Sequence, residues 1–440
     1  MLAIGIFFGL CGLEVVMYAT ETRNRERWGQ NTPRIRITLF LLFVLLVTVR
    51  IIPWGFAWYG LGALLAIRAL ISLLVLFRRT SPKAQKKGNA VRNLVGGTML
   101  FGLAVIPLLL FPRSTPLQRT VSNAVGTMVY TWIDESREDS FTAESDYRKV
   151  TVQFWYPALT AEENAPVLEG PFPLVVFSHG AFGYRMSNHS TFMELAGNGY
   201  IVASIDHTHQ AFMTKEADGT VILGDSGFIR TAMDVENGKI TGEELYHLQK
   251  DWMALRSSDM AFVLDQIRKQ VALPTSNEVF HQLDIERIGV LGHSMGGATA
   301  AWIGREDDAI DAVIVLDGTL MGEIVGFEQG KEVVTDVPYP KPILDVFNES
   351  HYEDAKSIGL DYANMRMQEH ASKAFQLVVN GSGHLNFTDL PLVSPLLASL
   401  LGTGSVDPRY CMEITNAAVR EFLDYHLKGE GTESLPFRRV

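Results

Sequence analysis

Long apolar runs crowd the first quarter of the chain and are absent from the rest. Four of them, residues 2–18, 37–52, 54–77 and 94–111, precede Pro112. Each approaches the roughly 20 residues that a helix needs to cross the hydrocarbon of a bilayer. Past residue 112 the pattern changes to short β-branched or aromatic runs, at 150–156, 174–178, 200–205, 288–291, 312–316, 343–347 and 375–379, alternating with helical stretches. Strands that are apolar throughout and separated by helices predict a mainly parallel sheet covered on both faces, the α/β class. The predicted organisation is an all-α transmembrane region of about four helices over 1–112, a linker with a first strand near 128–133 over 113–140, and an α/β domain over 141–440. Its longest interruption, 207–250, is polar and holds Gly219, Gly224, Gly227 and Gly238; a stretch of that length is a lid or binding loop, or a plain surface insertion.

Basic residues orient the apolar runs. Arg23, Arg25, Arg27, Arg34 and Arg36 lie between the first and second, and Arg78, Arg79, Lys83, Lys86, Lys87 and Arg92 between the third and fourth. By the positive-inside rule both loops are cytoplasmic, which puts the N-terminus and everything after residue 111 outside a cell membrane crossed several times. The first run has its positive charges after it rather than before it, which favours a retained helix over the alternative of a cleavable signal peptide. Pro53 separates the second run from the third by a single turn. Glu14 and Arg68 are ionisable residues within the runs; they pair, or Arg68 snorkels while Glu14 sits near the interface.

Charge divides the chain at the same point. Residues 1–112 hold 13 Lys and Arg against 3 acids, net +10, and the remaining 328 residues hold 25 against 46, net −21. An acidic second part is not built to bind nucleic acid. Two cysteines, Cys11 and Cys411, supply neither a disulfide framework nor a thiolate metal site.

The chemistry centres on residues 287–297, RIGVLGHSMGG, where an apolar strand runs into Gly292-His293-Ser294-Met295-Gly296 and then a helix of small residues. G-x-S-x-G between strand and helix is the turn that raises a nucleophilic serine above a parallel sheet, so Ser294 is the candidate nucleophile. In this order of elements an acid and then a histidine follow. His384 comes after the strand 375–379 on Asn380-Gly381-Ser382-Gly383, at a strand's C-terminal end, and is the candidate base. His351, His370 and His426 fall in polar helical stretches and read as surface residues. His207 and His209 alternate at a strand end without a third ligand nearby, so they read as satisfied polar residues and not as a metal pair. Asp317, directly after the strand 312–316, is the favoured acid; one strand later Asp345, Glu349 or Asp354 would serve instead. Backbone N–H groups of Met295, after the nucleophile, and Ala181, in the loop Ser178-His179-Gly180-Ala181, are the expected oxyanion donors. His179 reads as a brace for that loop. Nothing in the set calls for a metal or a cofactor.

The second part resembles the platelet-activating-factor acetylhydrolase family in its plasma and type II branch of serine phospholipases. The similarity runs over about 131–429, through WYP at 155–157, PLVVFSHG at 173–180, GHSMGGAT at 292–299, LDG at 316–318 and HLNFTD at 384–389. It implies an α/β-hydrolase fold, an acid after the strand that follows the nucleophile, oxyanion donors at Ala181 and Met295, and calcium-independent release of short or oxidised acyl chains from phospholipids. A general carboxylesterase, a polyester hydrolase or an acyltransferase acting on a non-lipid ester is the rival within enzymes. A catalytically dead hydrolase fold serving as membrane receptor or scaffold is the rival outside them, and it predicts a broken triad.

Overall fold

The computed structural model of the protein describes residues 2–23, 31–77, 87–113, 115, 117, 123–142, 146–433 and 436–440. The chain forms two compact units, one of Met1–Thr115 with Val393–Leu397 and one of Pro116–Leu392 with Ala398–Val440.

In the first unit the four apolar runs become helices α1 (Leu2–Arg23), α2 (Asn31–Thr48), α3 (Phe56–Phe77) and α4 (Lys87–Leu110). Among the described residues α2 and α3 are long and apolar enough to cross a membrane, whereas α1 and α4 carry shorter apolar stretches, Ile4–Thr20 and Leu94–Leu110. Helix α2 stops at Thr48, short of the apolar run's end, and Arg50, three residues before Pro53, takes a left-handed φ of 60°. Phe43, Trp58, Leu61, Leu65, Phe101 and Val105 form the unit's apolar centre. Glu14 on α1 pairs with Arg68 on α3, and Nη2 of Arg36 on α2 lies 3.1 Å from the other oxygen of Glu14. The Arg68 guanidinium also sits 4.4 Å from the Phe101 ring centre, so pairing and not snorkelling describes this arginine. Of the basic loop residues named above, Arg25, Arg27, Arg78, Arg79, Lys83 and Lys86 lie outside the described residues.

The second unit is built on a nine-stranded sheet of order β1-β2-β4-β3-β7-β8-β11-β12-β13. These strands are β1 (Ala124–Glu138), β2 (Tyr147–Ala158), β3 (Phe172–Ser178), β4 (Ile201–Asp206), β7 (Leu283–His293), β8 (Ile310–Leu316), β11 (Ile343–Asn348), β12 (Ala374–Val379) and β13 (Phe437–Arg439); β5 (Met213–Lys215) with β6 (Val221–Leu223), and β9 (Ile324–Glu328) with β10 (Lys331–Val334), form two small antiparallel hairpins. Only the β1–β2 and β2–β4 pairs of the large sheet are antiparallel; from β4 to β13 the neighbours run parallel. The central strands are buried on both faces, which is why FPLVVFS reads as a continuous run and not as an alternating one, and why even Asp345 of ILDVFN is buried. Strand β1 closes the sheet's outer edge and ends in a bulge between Asp134 and Glu138, where charge blunts further pairing.

Helices α5 (His189–Gly197), α6 (Ser226–Glu236), α7 (Gly242–Ala272), α8 (Met295–Glu306), α9 (Glu349–Ile358), α10 (Ala363–His370) and α11 (Pro408–Leu423) surround the sheet. Two apolar layers result. Val152, Phe154, Val176, Met260, Ile267 and Val290 belong to one, and Trp155, Phe177, Phe192, Leu291, Val419 and Phe422 to the other. This strand order with helices in both layers is that of an α/β-hydrolase-like fold. The 207–250 interruption is not irregular: it contains the β5–β6 hairpin and α6, and its last residues already belong to the 31-residue α7. Asp225 caps α6 by accepting from Phe228 N–H at 2.7 Å.

Candidate active site

Strand β7 delivers Ser294 onto a sharp turn, with φ 55° and ψ −125°, where a side chain is strained and is held only by what surrounds it. Its N–H donates to Leu316 O at 2.8 Å and its own carbonyl accepts from Gly297 N–H at 2.8 Å. The flanking glycines are dictated by space. A Cβ on Gly292 would run into the Gly296 backbone, and one on Gly296 would strike the Ser178 carbonyl and lie 2.7 Å from His179 O. The turn therefore presses against the end of β3, and a Cβ built on Gly180 would lie 3.2 Å from the Ser294 Cβ. This places the loop bearing Ala181 beside Ser294. Ala181 and Met295, the expected oxyanion donors, share one apolar cluster with Phe228 of α6 and Trp252 and Met253 of α7.

Buried polar groups hold that loop in place. His179 donates from Nδ1 to Gly180 O at 2.7 Å and accepts at Nε2 from the His207 N–H at 3.3 Å, which fixes a neutral tautomer. Burial, then Arg256 and His207, press its pKa well below the usual imidazole range. Arg256 on α7 donates to His179 O at 2.5 Å and to Gln210 Oε1 at 2.8 Å. His207 bonds Ser178 Oγ at 2.8 Å and Asp259 Oδ2 at 3.0 Å, and Asp259 is gripped in turn by both ends of the Arg148 guanidinium. His207 is a satisfied core residue, pushed down to about 4 chiefly by burial. His209 stacks on Phe141 at 5.1 Å. Among the described residues no group of three or more His, Cys, Asp or Glu side chains is arranged to hold a metal ion.

Asp317 leaves the end of β8 in a left-handed conformation, φ 54°, with its N–H on Val346 O at 2.7 Å. Its side chain is fully buried, and four donors converge on it. Oδ1 accepts from the Asn348 N–H at 2.8 Å and from His351 Nδ1 at 2.9 Å; Oδ2 accepts from Asn348 Nδ2 and from His384 Nδ1, both at 2.6 Å. Burial by itself would raise this carboxyl, yet the bonds from His351 and His384 outweigh it and hold the group well below the ordinary carboxylate range. His384 opens a short 3₁₀ turn after Gly383, and 44% of its side chain is accessible against none of Asp317's, so the imidazole faces outward while the carboxylate stays dry. His293, the residue before Ser294, donates from Nε2 to His384 O at 3.0 Å, and the two rings lie 4.6 Å apart. The backbones at 294, 317 and 384 thus lie near one another at one corner of the sheet, where Asp317 and His384 are bonded side chain to side chain. Burial and then the neighbouring His384 push His293 down to about 3, so it stays a neutral donor there.

The other acids fall elsewhere. Asp345 is buried inside β11, accepting from Asn364 Nδ2 at 2.9 Å; Glu349 pairs with Arg439 and the Gly381 N–H. Reading His351 as a surface residue is overturned: its side chain is 18% exposed and bonded at both ring nitrogens, to Asp317 and to Tyr362 Oη at 2.6 Å. Its position near the start of a helix that begins at a strand's C-terminal end was the available signal. His293 and Asn348, which support the site directly, were likewise not singled out.

Comparison with known proteins follows the same division of the chain. The sequence model of the family described as platelet-activating factor acetylhydrolase, isoform II, matches residues 147–433. The platelet-activating factor acetylhydrolase of Bos taurus is 25% identical over 273 residues, covering 58% of this chain and 57% of the relative. That of Canis lupus familiaris is 24% identical over 298 residues, covering 63% and 62%. A probable 1-alkyl-2-acetylglycerophosphocholine esterase of Arthroderma benhamiae is 26% identical over 269 residues, covering 59% and 61%. The chain therefore spans about three fifths of the length of these curated relatives. Among solved structures, a ferulic acid esterase from Streptomyces cinnamoneus shares the fold, with a TM-score of 0.56, 24% identity, and coverage of 72% of this chain and 93% of the other.

Proposed function

Because the chain belongs to the family of platelet-activating factor acetylhydrolase, isoform II, we propose that it is a serine ester hydrolase that removes short acyl groups from phospholipids through an acyl-enzyme on Ser294. The observation that carries this reading is the buried, four-donor Asp317 bonded to an outward-facing His384 whose backbone is tied to the residue preceding Ser294. His384 Nε2 takes the Ser294 hydroxyl proton as Oγ attacks the ester carbonyl, and Asp317 keeps the imidazole in the tautomer that leaves Nε2 free to accept. The N–H groups of Ala181 and Met295 receive the developing oxyanion, each contributing on the order of 3 kcal/mol to the transition state. Collapse of the tetrahedral intermediate passes the proton from His384 to the departing alcohol; water, deprotonated by His384, then releases the acid and restores Ser294.

Two features favour a short acyl group on a lipid. Phe228, Trp252 and Met253 pack with Ala181 and Met295 in one buried apolar cluster, so the surroundings of both oxyanion donors are apolar, which suits a small apolar acyl group. The proposed transmembrane region of four helices, with the N-terminus and the catalytic unit outside, would keep the enzyme at a bilayer. Ser294→Ala is expected to abolish turnover of p-nitrophenyl acetate while leaving the melting transition in place; undiminished turnover would remove the proposal. Acetyl- and palmitoyl-bearing phosphatidylcholines compared in one assay test the chain length, with the acetyl lipid expected to be the better substrate. Protease added to sealed cells should cut the second unit, and protection from outside would reverse the orientation.

A further inference from the structure

Asp317 is shared by two histidines. Nδ1 of His384 donates to one carboxylate oxygen at 2.6 Å and Nδ1 of His351 to the other at 2.9 Å. Beyond His351 the bonding continues. Its Nε2 lies 2.6 Å from Tyr362 Oη, which lies 2.6 Å from Thr319 Oγ1, two residues after Asp317. A carboxylate only accepts, so His351 Nδ1 must carry a proton in either charge state. The rest of the chain is reversible. With a neutral ring, Tyr362 donates to Nε2 and accepts from Thr319; with a protonated ring, Nε2–H donates to Tyr362, which donates to Thr319. Both arrangements satisfy every atom, so this corner admits a proton without breaking a bond.

We propose that His351 is a positioning residue of the Ser294 site, which holds the second oxygen of Asp317 and, through its own proton, sets how strongly Asp317 supports a positive charge on His384. The inference rests on the serine-hydrolase reading. The ionisable groups facing His351 are Asp317 at the end of β8, Asp345 on β11, Asp354 on its own helix, Tyr362 from the segment before α10, and His384 across the shared carboxylate. Burial pulls the His351 pKa down, but the hydrogen bond and charge of Asp317 outweigh it and leave it above the usual imidazole value. A cation at 351 competes with His384 for the one negative charge. A second positive charge beside the same carboxylate is then less favourable than next to a neutral neighbour, so the acid limb of activity lies at lower pH with His351 present than without it.

The test is the pH dependence of kcat/KM for p-nitrophenyl acetate hydrolysis between about pH 5 and 9, using the full chain in detergent. His351→Asn keeps a donor toward Asp317 but cannot take up a proton. Its acid limb is expected about half a unit to one unit above that of the wild type, the size of a lost unit charge one carboxylate away. Tyr362→Phe, which removes the acceptor for the protonated ring, should shift the limb the same way by less, and it decides the matter alone if His351→Asn does not fold. A purely structural His351 would lower activity equally at every pH. Acid limbs that coincide with the wild type's, or move to lower pH, overturn the inference. An inactive wild-type chain would instead overturn the hydrolase reading itself.

Discussion

Replacing Asp317 by asparagine changes one atom, and the site geometry says which consequence follows. Each carboxylate oxygen receives two donors, so an amide nitrogen at either position faces two N–H groups. At the Oδ1 position it would oppose the Asn348 backbone N–H, which cannot turn away; that clash costs about 1–3 kcal/mol as an unsatisfied buried donor. At the Oδ2 position it opposes the Asn348 side-chain amide and His384 Nδ1, and His384 escapes by moving its proton to Nε2. The second placement is therefore favoured, and it produces the tautomer that cannot accept the Ser294 proton. Loss of the correct tautomer in a serine–histidine–acid site lowers kcat by about 10⁴-fold. Asp317→Asn should show a fall of that order in p-nitrophenyl acetate turnover near pH 7.5, with KM changed little and a melting temperature within several degrees of the wild type. Retention of more than a tenth of wild-type kcat in a folded variant would refute the tautomer reasoning and return Asp345 and Glu349 to consideration as the acid.

Asp345→Asn is the companion experiment. Burial raises Asp345 from 3.8 to about 7, so the folded state prefers it protonated, and its contribution to stability is present below about pH 4 and lost as pH rises toward 7. The variant should keep activity within a few-fold and melt higher than the wild type at pH 8 but not at pH 4.5, with an upper bound of roughly 4 kcal/mol; a lower melting temperature at pH 8 would contradict this. Gly296→Ala drives a Cβ into the backbone carbonyls of Ser178 and His179. Overpacking against immobile backbone costs about 1–3 kcal/mol or more, so calorimetry should show clear destabilisation and the assay little turnover, whereas wild-type behaviour would mean that β3 and the turn are farther apart.

How much of this was legible in the chain depends on how local the causes were. Strands such as β3, β8 and β12 are mostly apolar runs, and their pattern alone places them. Strand β13 escaped because Phe437–Arg439 is three residues long, charged, and a strand only through its pairing with β12. The insertion read as a loop because its polarity is high; yet α6 needs only Phe228 and Ala232 as buried residues, and a stretch can be mostly polar and still fold as a helix on one apolar edge. The sharp turn at Ser294 was legible because backbone crowding imposes glycine at 292 and 296, a constraint written in neighbouring residues. The burial of His351 was not legible because ESHYEDAK looks like any solvated helix, and what holds the ring inside is a carboxylate 34 residues earlier. Glu14 and Arg68 stayed open for the same reason: 54 residues separate them, and only the packing of helices decides whether such a pair meets.

The account comes down to whether Ser294 is a nucleophile activated by His384 and Asp317. Incubating the full-length protein with a fluorophosphonate, digesting it and locating the adduct by peptide mass spectrometry asks this directly. Phosphonylation at Ser294, near one per chain and strongly slowed in His384→Ala, is the expected result. An unlabelled protein that is otherwise folded, or a label carried on a different serine, would contradict it.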